Sequence, residues 1–161
     1  NNTKFINSNS DALDLDFSNG NLNNLIFTNI NSDGVDTSGS SVSINKVEFT
    51  NIKDKAISAG EKSLLNISNV NINHSGVGLA SKDSSLIKGK KIKISNSILT
   101  DLLVINKKSY YEGGKMDLTN MNLESKITSM VQLGSEATVN GNKLESYIID
   151  TNKLYKSTMM R

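Results

Sequence analysis

Apolar residues along this chain keep two rhythms at once, one of two residues and one of about 22. The tetrapeptide Phe27-Thr28-Asn29-Ile30 returns as Phe49-Thr50-Asn51-Ile52. Steps of 22 to 24 residues join Phe5, Phe27, Phe49, Ile72, Ile94 and Leu118 in one column, and Leu25, Val47, Val70, Ile92 and Met116 in another, two residues earlier. An i, i+2 spacing puts both columns on one face of an extended strand. Leu22, Ile44 and Ile67 form a third column, and Leu13, Val35, Ile57 and Leu79 a fourth. Each repeat thus holds about three short strands separated by polar corners. A unit this short cannot bury its own apolar face, so the repeats must stack and share a core.

Stacked three-strand turns make an all-β solenoid, a single-stranded parallel β-helix of about 22 residues per coil in which the chain returns above itself about 4.8 Å further along the axis. A leucine-rich or helical repeat is the competitor, but the period-2 alternation, the β-branched apolar columns and the scarcity of Ala and Leu runs at 3.6-residue spacing count against it. Two positions beyond the first column stand Asn7, Asn29, Asn51, His74, Asn96 and Asn120. An Asn at the same corner of each coil passes an amide hydrogen bond to the next, satisfying polar groups at a bend. His74 is read as a structural replacement in that ladder, a ring nitrogen taking over the corner bond. Residues 1–125 are expected to form the coils. Residues 126–161 are expected to form a last coil, a hairpin at Asn140-Gly141 and a cap made by Tyr147, Ile148, Ile149, Leu154 and Tyr155. Because Phe5 and Asn7 already occupy columns, further coils are expected before them.

Composition narrows the picture. There are 23 Asn and no Pro, Cys or Trp, and the formal net charge is +2. Asn and Gly supply left-handed corners, and the small charge gives no strong field toward nucleic acid or membranes. No run of 18 apolar residues is present to span a bilayer, and no signal peptide opens the chain. A surface rich in Asn, Ser and Thr fits an extracellular or cell-surface location. Lys88, Lys90, Lys91 and Lys93 are the densest basic run, but Ile92 and Ile94 alternate with Lys91 and Lys93 and no aromatic residue interleaves, so the run reads as a solvated strand face and not as a nucleic-acid platform.

The columns and the Asn ladder resemble the right-handed parallel β-helix superfamily that includes pectate lyases, alginate epimerases and many bacterial surface proteins. More narrowly, Asp54-Lys55-Ala56-Ile57-Ser58-Ala59-Gly60-Glu61-Lys62-Ser63, Gly76-Val77-Gly78-Leu79-Ala80-Ser81-Lys82-Asp83-Ser84, and Lys107-Lys108 with Tyr111 and Gly113-Gly114 look like uncharacterised bacterial β-helix domains, some of them attached to CotH-type kinase-like modules. The resemblance implies a right-handed coil. For function it carries analogy alone.

Three groups of residues are candidates for chemistry. Asp11 and Asp14 return as Asp33 and Asp36, stacking like charges about 5 Å apart. A calcium ion held by these oxygens would compensate, as would Asx turns and solvent screening at exposed corners. Glu61 and Lys62 fall beside Lys82 and Asp83 one period later, a mixed-charge patch that reads either as a surface ion-pair network or as a grip on a glycan. Pectate lyases use an internal arginine as base, whereas the one arginine here is Arg161, so Lys62 or Lys82 would have to serve. Residues 99–114 break the rhythm with an insertion, and insertions in solenoids mark binding faces. It carries Tyr110 and Tyr111 beside Lys107 and Lys108, and a tyrosine next to charged groups can stack on a sugar ring.

Two function classes follow. The first is a non-catalytic β-helix module of a bacterial exported or surface protein, contacting a glycan or another domain of the same protein through the coil face and the tyrosine loop. The second is a polysaccharide lyase or epimerase acting on an acidic polysaccharide with calcium.

Overall fold

Alternation of apolar and polar residues, closed at regular intervals by Asn, makes this chain coil. A computed structural model of the protein describes residues 1–121 and 127–156. Its elements run β1 (Thr3–Ser8), β2 (Leu13–Asp16), β3 (Asn19–Ile30), β4 (Val35–Ser38), β5 (Ser41–Gly60), β6 (Leu64–Lys82), β7 (Leu86–Ser95), β8 (Thr100–Ile105), β9 (Lys115–Thr119), β10 (Ser129–Val131), β11 (Glu136–Val139), β12 (Asn142–Lys143) and α1 (Thr151–Tyr155). Strand makes up 64% and helix 3%, in a parallel β-solenoid of about six turns. The expected boundary at 125/126 between coils and cap lies outside the described residues.

Three faces wrap the core. The first stacks β1 with residues 25–30, 47–52, 70–75 and 92–95, in the register Phe5↔Phe27↔Phe49↔Ile72↔Ile94. The second stacks β2, β4, residues 57–60 and 79–82, β8 and β10. The third stacks residues 19–23, 41–45, 64–68 and 86–90 with β9 and β11. Phe27, Ile44, Phe49, Ile57, Ile72 and Leu79 point inward and are buried. The rings of Phe5, Phe27 and Phe49 stack at centroid distances of 4.8 and 4.7 Å.

The corners explain the Asn. Asn7, Asn29, Asn51, His74 and Asn96 all have φ between 56 and 61°, the left-handed region that Asn and His enter more readily than other non-glycine residues. A second corner repeats the conformation at Asn24, Lys46, Asn69 and Lys91. Side-chain bonds then link the coils: Asn29 Nδ2 donates to Asn7 Oδ1 at 3.1 Å, and Asn51 Nδ2 to Asn29 Oδ1 at 2.8 Å. Sequence reading passed over a buried serine ladder, in which Ser40, Ser63 and Ser85 accept from the backbone N–H groups of Ser18, Ser40 and Ser63.

Two positions of the expected Asn ladder behave differently. His74 keeps the corner φ but is exposed, and Asn96 Nδ2 donates instead to the neighbouring Asn73 Oδ1 at 2.8 Å. Asn120 is not in that column. Leu118 pairs with Gly89 and Met116 with Ile87, so Asn120 (φ 50°) follows β9 at the corner where Lys91 follows residues 86–90. The cause is the insertion after β8: β9 begins at Lys115, opposite Leu86, where the preceding coils pair Leu64 with Leu86. Counting at a constant step therefore slips by one strand.

The C-terminal segment closes exposed edges. Asn140 and Gly141, with φ 50 and 81°, form the two-residue turn that folds β12 back antiparallel on β11, as positive φ at both central positions requires. Tyr147 exchanges backbone bonds with Val131 (2.9 Å) and Leu133 (2.8 Å), covering the end of the second face. Beyond it, Ile149, Leu154 and Tyr155 pack on the outer side of that face against Val77, Ala80, Leu103 and Ile105. Ile148 is 85% exposed and joins neither contact.

Phe27 stacks on both sides, whereas Phe5 stacks on one and is only half-buried. Phe27→Ala is therefore expected to lower the free energy of unfolding by about 3 to 5 kcal/mol, and Phe5→Ala by clearly less. Urea titrations of the two variants check the order.

Candidate functional site

Charged residues gather on the outside of the second face and at its corner with the third. One column is Asp11, Asp33 and Lys55. Asp11 Oδ1 accepts the backbone N–H of Asp33 at 2.9 Å, and Asp33 Oδ1 accepts that of Lys55 at 2.9 Å. Lys55 Nζ then lies 3.1 Å from Asp33 and 2.6 Å from Asp54, with both pairs almost wholly buried. The carboxylates expected to repel are compensated by backbone amides and a lysine. Lys55 lay one further 22-residue step from Asp33 and escaped notice because only the acidic members of the column were followed.

Asp14 and Asp36 stand side by side in register. Desolvation raises the pKa of Asp14, helped by Asp16, Asp36 and Asp11. Asp36 lies 3.9 Å from Lys82 Nζ and accepts from the N–H of Thr37. Among the described residues no group of three or more His, Cys, Asp or Glu converges to hold a metal. The four aspartates do not fit calcium, because Asp11 and Asp33 spend lone pairs on amides and cations of the chain already face Asp33 and Asp36.

Glu61, Lys62, Lys82 and Asp83 come together but do not form a surface patch. Lys82 and Asp83 are buried. Asp83 Oδ1 accepts the N–H groups of Lys107 (2.7 Å) and Lys108 (2.8 Å), anchoring the start of the inserted loop. Glu61 accepts from Ser38 Oγ and pairs with Lys108. Lys62 reaches toward the Tyr111 ring, 5.8 Å from its centroid. The roles found for these side chains are structural.

The inserted loop is built on those anchors. Ser84 Oγ accepts from the N–H of Glu112, Asn106 Nδ2 donates to Tyr111 O, and Lys107 Nζ lies 4.3 Å from the Tyr155 ring centroid. Gly114 returns the chain so tightly that a Cβ there would sit 2.1 Å from the Ser81 carbonyl oxygen. Tyr155 is partly buried, and desolvation of its hydroxyl together with Asp54 and Asp33 raises its pKa. The loop thus holds Tyr110 and Tyr111 with ring centroids 4.7 Å apart, Tyr110 being 74% exposed. Beside them opens a groove of about 590 Å³, lined among others by Asn106, Tyr111, Glu112, Lys115, Gln132 and Glu136. Donors, acceptors and an aromatic ring along one open groove can engage a ring ligand bearing hydroxyls. Comparison with family models, with curated proteins and with solved structures returns no match, so the functional argument rests on this chain's own residues.

Two predictions follow from this geometry. Burial pushes the Asp33 carboxyl up to about 7 against the pull of Lys55, from 3.8. The folded state therefore holds this proton to higher pH than the unfolded chain, and ionising Asp33 costs stability. Stability is expected to rise as pH falls from about 7 toward 3.8, and Asp33→Asn, which keeps an acceptor for the Lys55 N–H, to flatten that slope in denaturant titrations. Asp83→Ala removes two charge-assisted bonds, a loss of about 2 to 4 kcal/mol. Amide exchange over residues 106–114 is expected to accelerate more than exchange over β5 and β6.

Proposed function

We propose that this chain is a non-catalytic β-solenoid module of a bacterial exported or surface protein, and that it binds a saccharide in the groove beside the tyrosine loop. One observation carries the reading: an anchored loop presents Tyr110 to solvent against the ring of Tyr111, which itself lines a polar groove. An exposed aromatic side chain costs solvation unless something covers it. A sugar ring covers it well, because its apolar C–H face lies on the ring while neighbouring side chains take the hydroxyls. Glu112, Lys115, Gln132 and Glu136 supply both acceptors and donors for that purpose.

The lyase or epimerase reading draws less support. Of its candidate bases Lys62 and Lys82, Lys82 lies buried beside Asp36, and the adjoining Asp83 caps two backbone amides. The resemblance to right-handed β-helix domains of pectate-lyase type, some beside kinase-like modules, suits an accessory module as well as an enzyme. A surface of stacked Asn, Ser and Thr suits display outside the cell.

Tyr110 is 74% exposed, so its removal tests binding without threatening the fold. In a glycan array followed by calorimetry on the best hit, Tyr110→Ala is expected to weaken binding about tenfold, the loss of one stacking contact of roughly 1.4 kcal/mol. Binding by the wild type that persists unchanged in Tyr110→Ala would move the site elsewhere.

A further inference from the structure

The fourth coil carries a line of exposed cations. Lys88, Lys90, Lys91 and Lys93 of β7 are all exposed, on the stretch that passes from the third face to the first. Side chains two residues apart on a strand share a face and stand about 6.6 Å apart. The left-handed corner at Lys91, φ 55°, carries the row around the bend. Lys88, Lys90 and Lys91 have no ion-pair partner among the described residues. The carboxylates nearest in register are Asp117, beside Lys88, which accepts from Thr138 Oγ1 at 2.6 Å, and Glu48, two coils from Lys93.

The coil beneath complements this row. Asn66 lies under Lys88, Ser68 under Lys90 and Asn71 under Lys93, about 4.8 Å away. Two shallow grooves flank the corner. One, of about 400 Å³, includes Asn45, Asn66, Lys88 and Lys90; the other, of about 450 Å³, includes Lys46, Asn71, Lys91 and Lys93. A single rung of ammonium groups thus lies directly above a rung of amides and hydroxyls.

We infer that this rung binds a linear polyol phosphate, laid across the solenoid along the fourth coil, with phosphates on Lys88, Lys90 and Lys91 and hydroxyls on Asn66, Ser68 and Asn71. The cations are strung in a line and do not converge, so they match a polymer and not a small anion. The two-residue spacing of Lys88 and Lys90 suits phosphates separated by a short polyol, and the amide rung matches the hydroxyls between them. Single-stranded nucleic acid shares the phosphates but needs aromatic platforms for its bases, and no aromatic residue stands in either groove. This surface is distinct from the tyrosine groove and does not depend on it.

The test uses the whole chain and fluorescently labelled poly(glycerol phosphate), with affinity read by anisotropy. Binding is expected to weaken steeply as salt rises from about 50 to about 200 mM, as counterion release requires. The double variant Lys90→Gln, Lys91→Asn is expected to lose on the order of tenfold in affinity; Asn suits the left-handed corner, and an unchanged melting curve verifies the fold. Lys143→Gln with Lys153→Gln, an equal charge change on exposed lysines elsewhere, should stay within about twofold, and Tyr110→Ala should bind as the wild type does. No binding at low salt, an equal loss in the control double variant, or equal or tighter binding of single-stranded DNA or polygalacturonate of matched charge would overturn the inference.

Discussion

Each coil of this protein must land in register on the coil below it, and that requirement governs everything else. Parallel pairing supplies the backbone bonds, but the partners are about 22 residues apart, so nothing local sets their alignment. The side chains set it. Slipping one strand by a single residue would turn its apolar set outward, breaking the Phe5–Phe27–Phe49 stack and the Ile44 and Ile57 columns together. Left-handed corners at fixed positions then limit where each coil bends. Asn is used there because it tolerates positive φ and because its amide bonds to the same residue one coil away.

The same stacking turns polar residues into structural parts. A carboxylate repeated at a fixed corner would repel its neighbour if it faced only water. In the Asp11–Asp33–Lys55 column each carboxylate accepts a backbone amide from the following coil, and a lysine ends the series. Ser40, Ser63 and Ser85 also take up backbone amides, from the preceding coil and without charge. Asp83 extends the principle to the irregular part of the chain, where its carboxylate holds the amides of Lys107 and Lys108 near the start of the inserted loop. Loops on a solenoid stay ordered when the regular coil offers such anchors. That order is what makes the exposed Tyr110 a usable surface.

A regular scaffold also separates covered polar groups from exposed ones. The buried ion pairs lie under the C-terminal segment, where Tyr155 and Leu154 cover the outer side of the second face. The tyrosine groove and the lysine rung of β7 lie open to solvent. Both consist of side chains whose removal leaves the core intact, as expected of binding surfaces carried on a stack that is stable for other reasons.

Fold class, repeat length, the three strands per coil and the Asn140-Gly141 hairpin were legible in the sequence. They follow from periodicity, and periodicity survives in one dimension: Phe27 and Phe49 announce their contact because the step between them is constant. Where the step changed, the reading slipped, and Asn120 was assigned to the wrong corner. The burial of Lys82 and Asp83, the pairing of Lys55 with Asp33 and Asp54, and the bond of Asn96 to Asn73 instead of His74 were decided by tertiary structure alone. Such outcomes depend on which side chains a distant segment covers, and on whether a lysine arm reaches a carboxylate one coil away. A one-dimensional repeat records which residues share a column, while the water that each retains is set by the segment that folds over them.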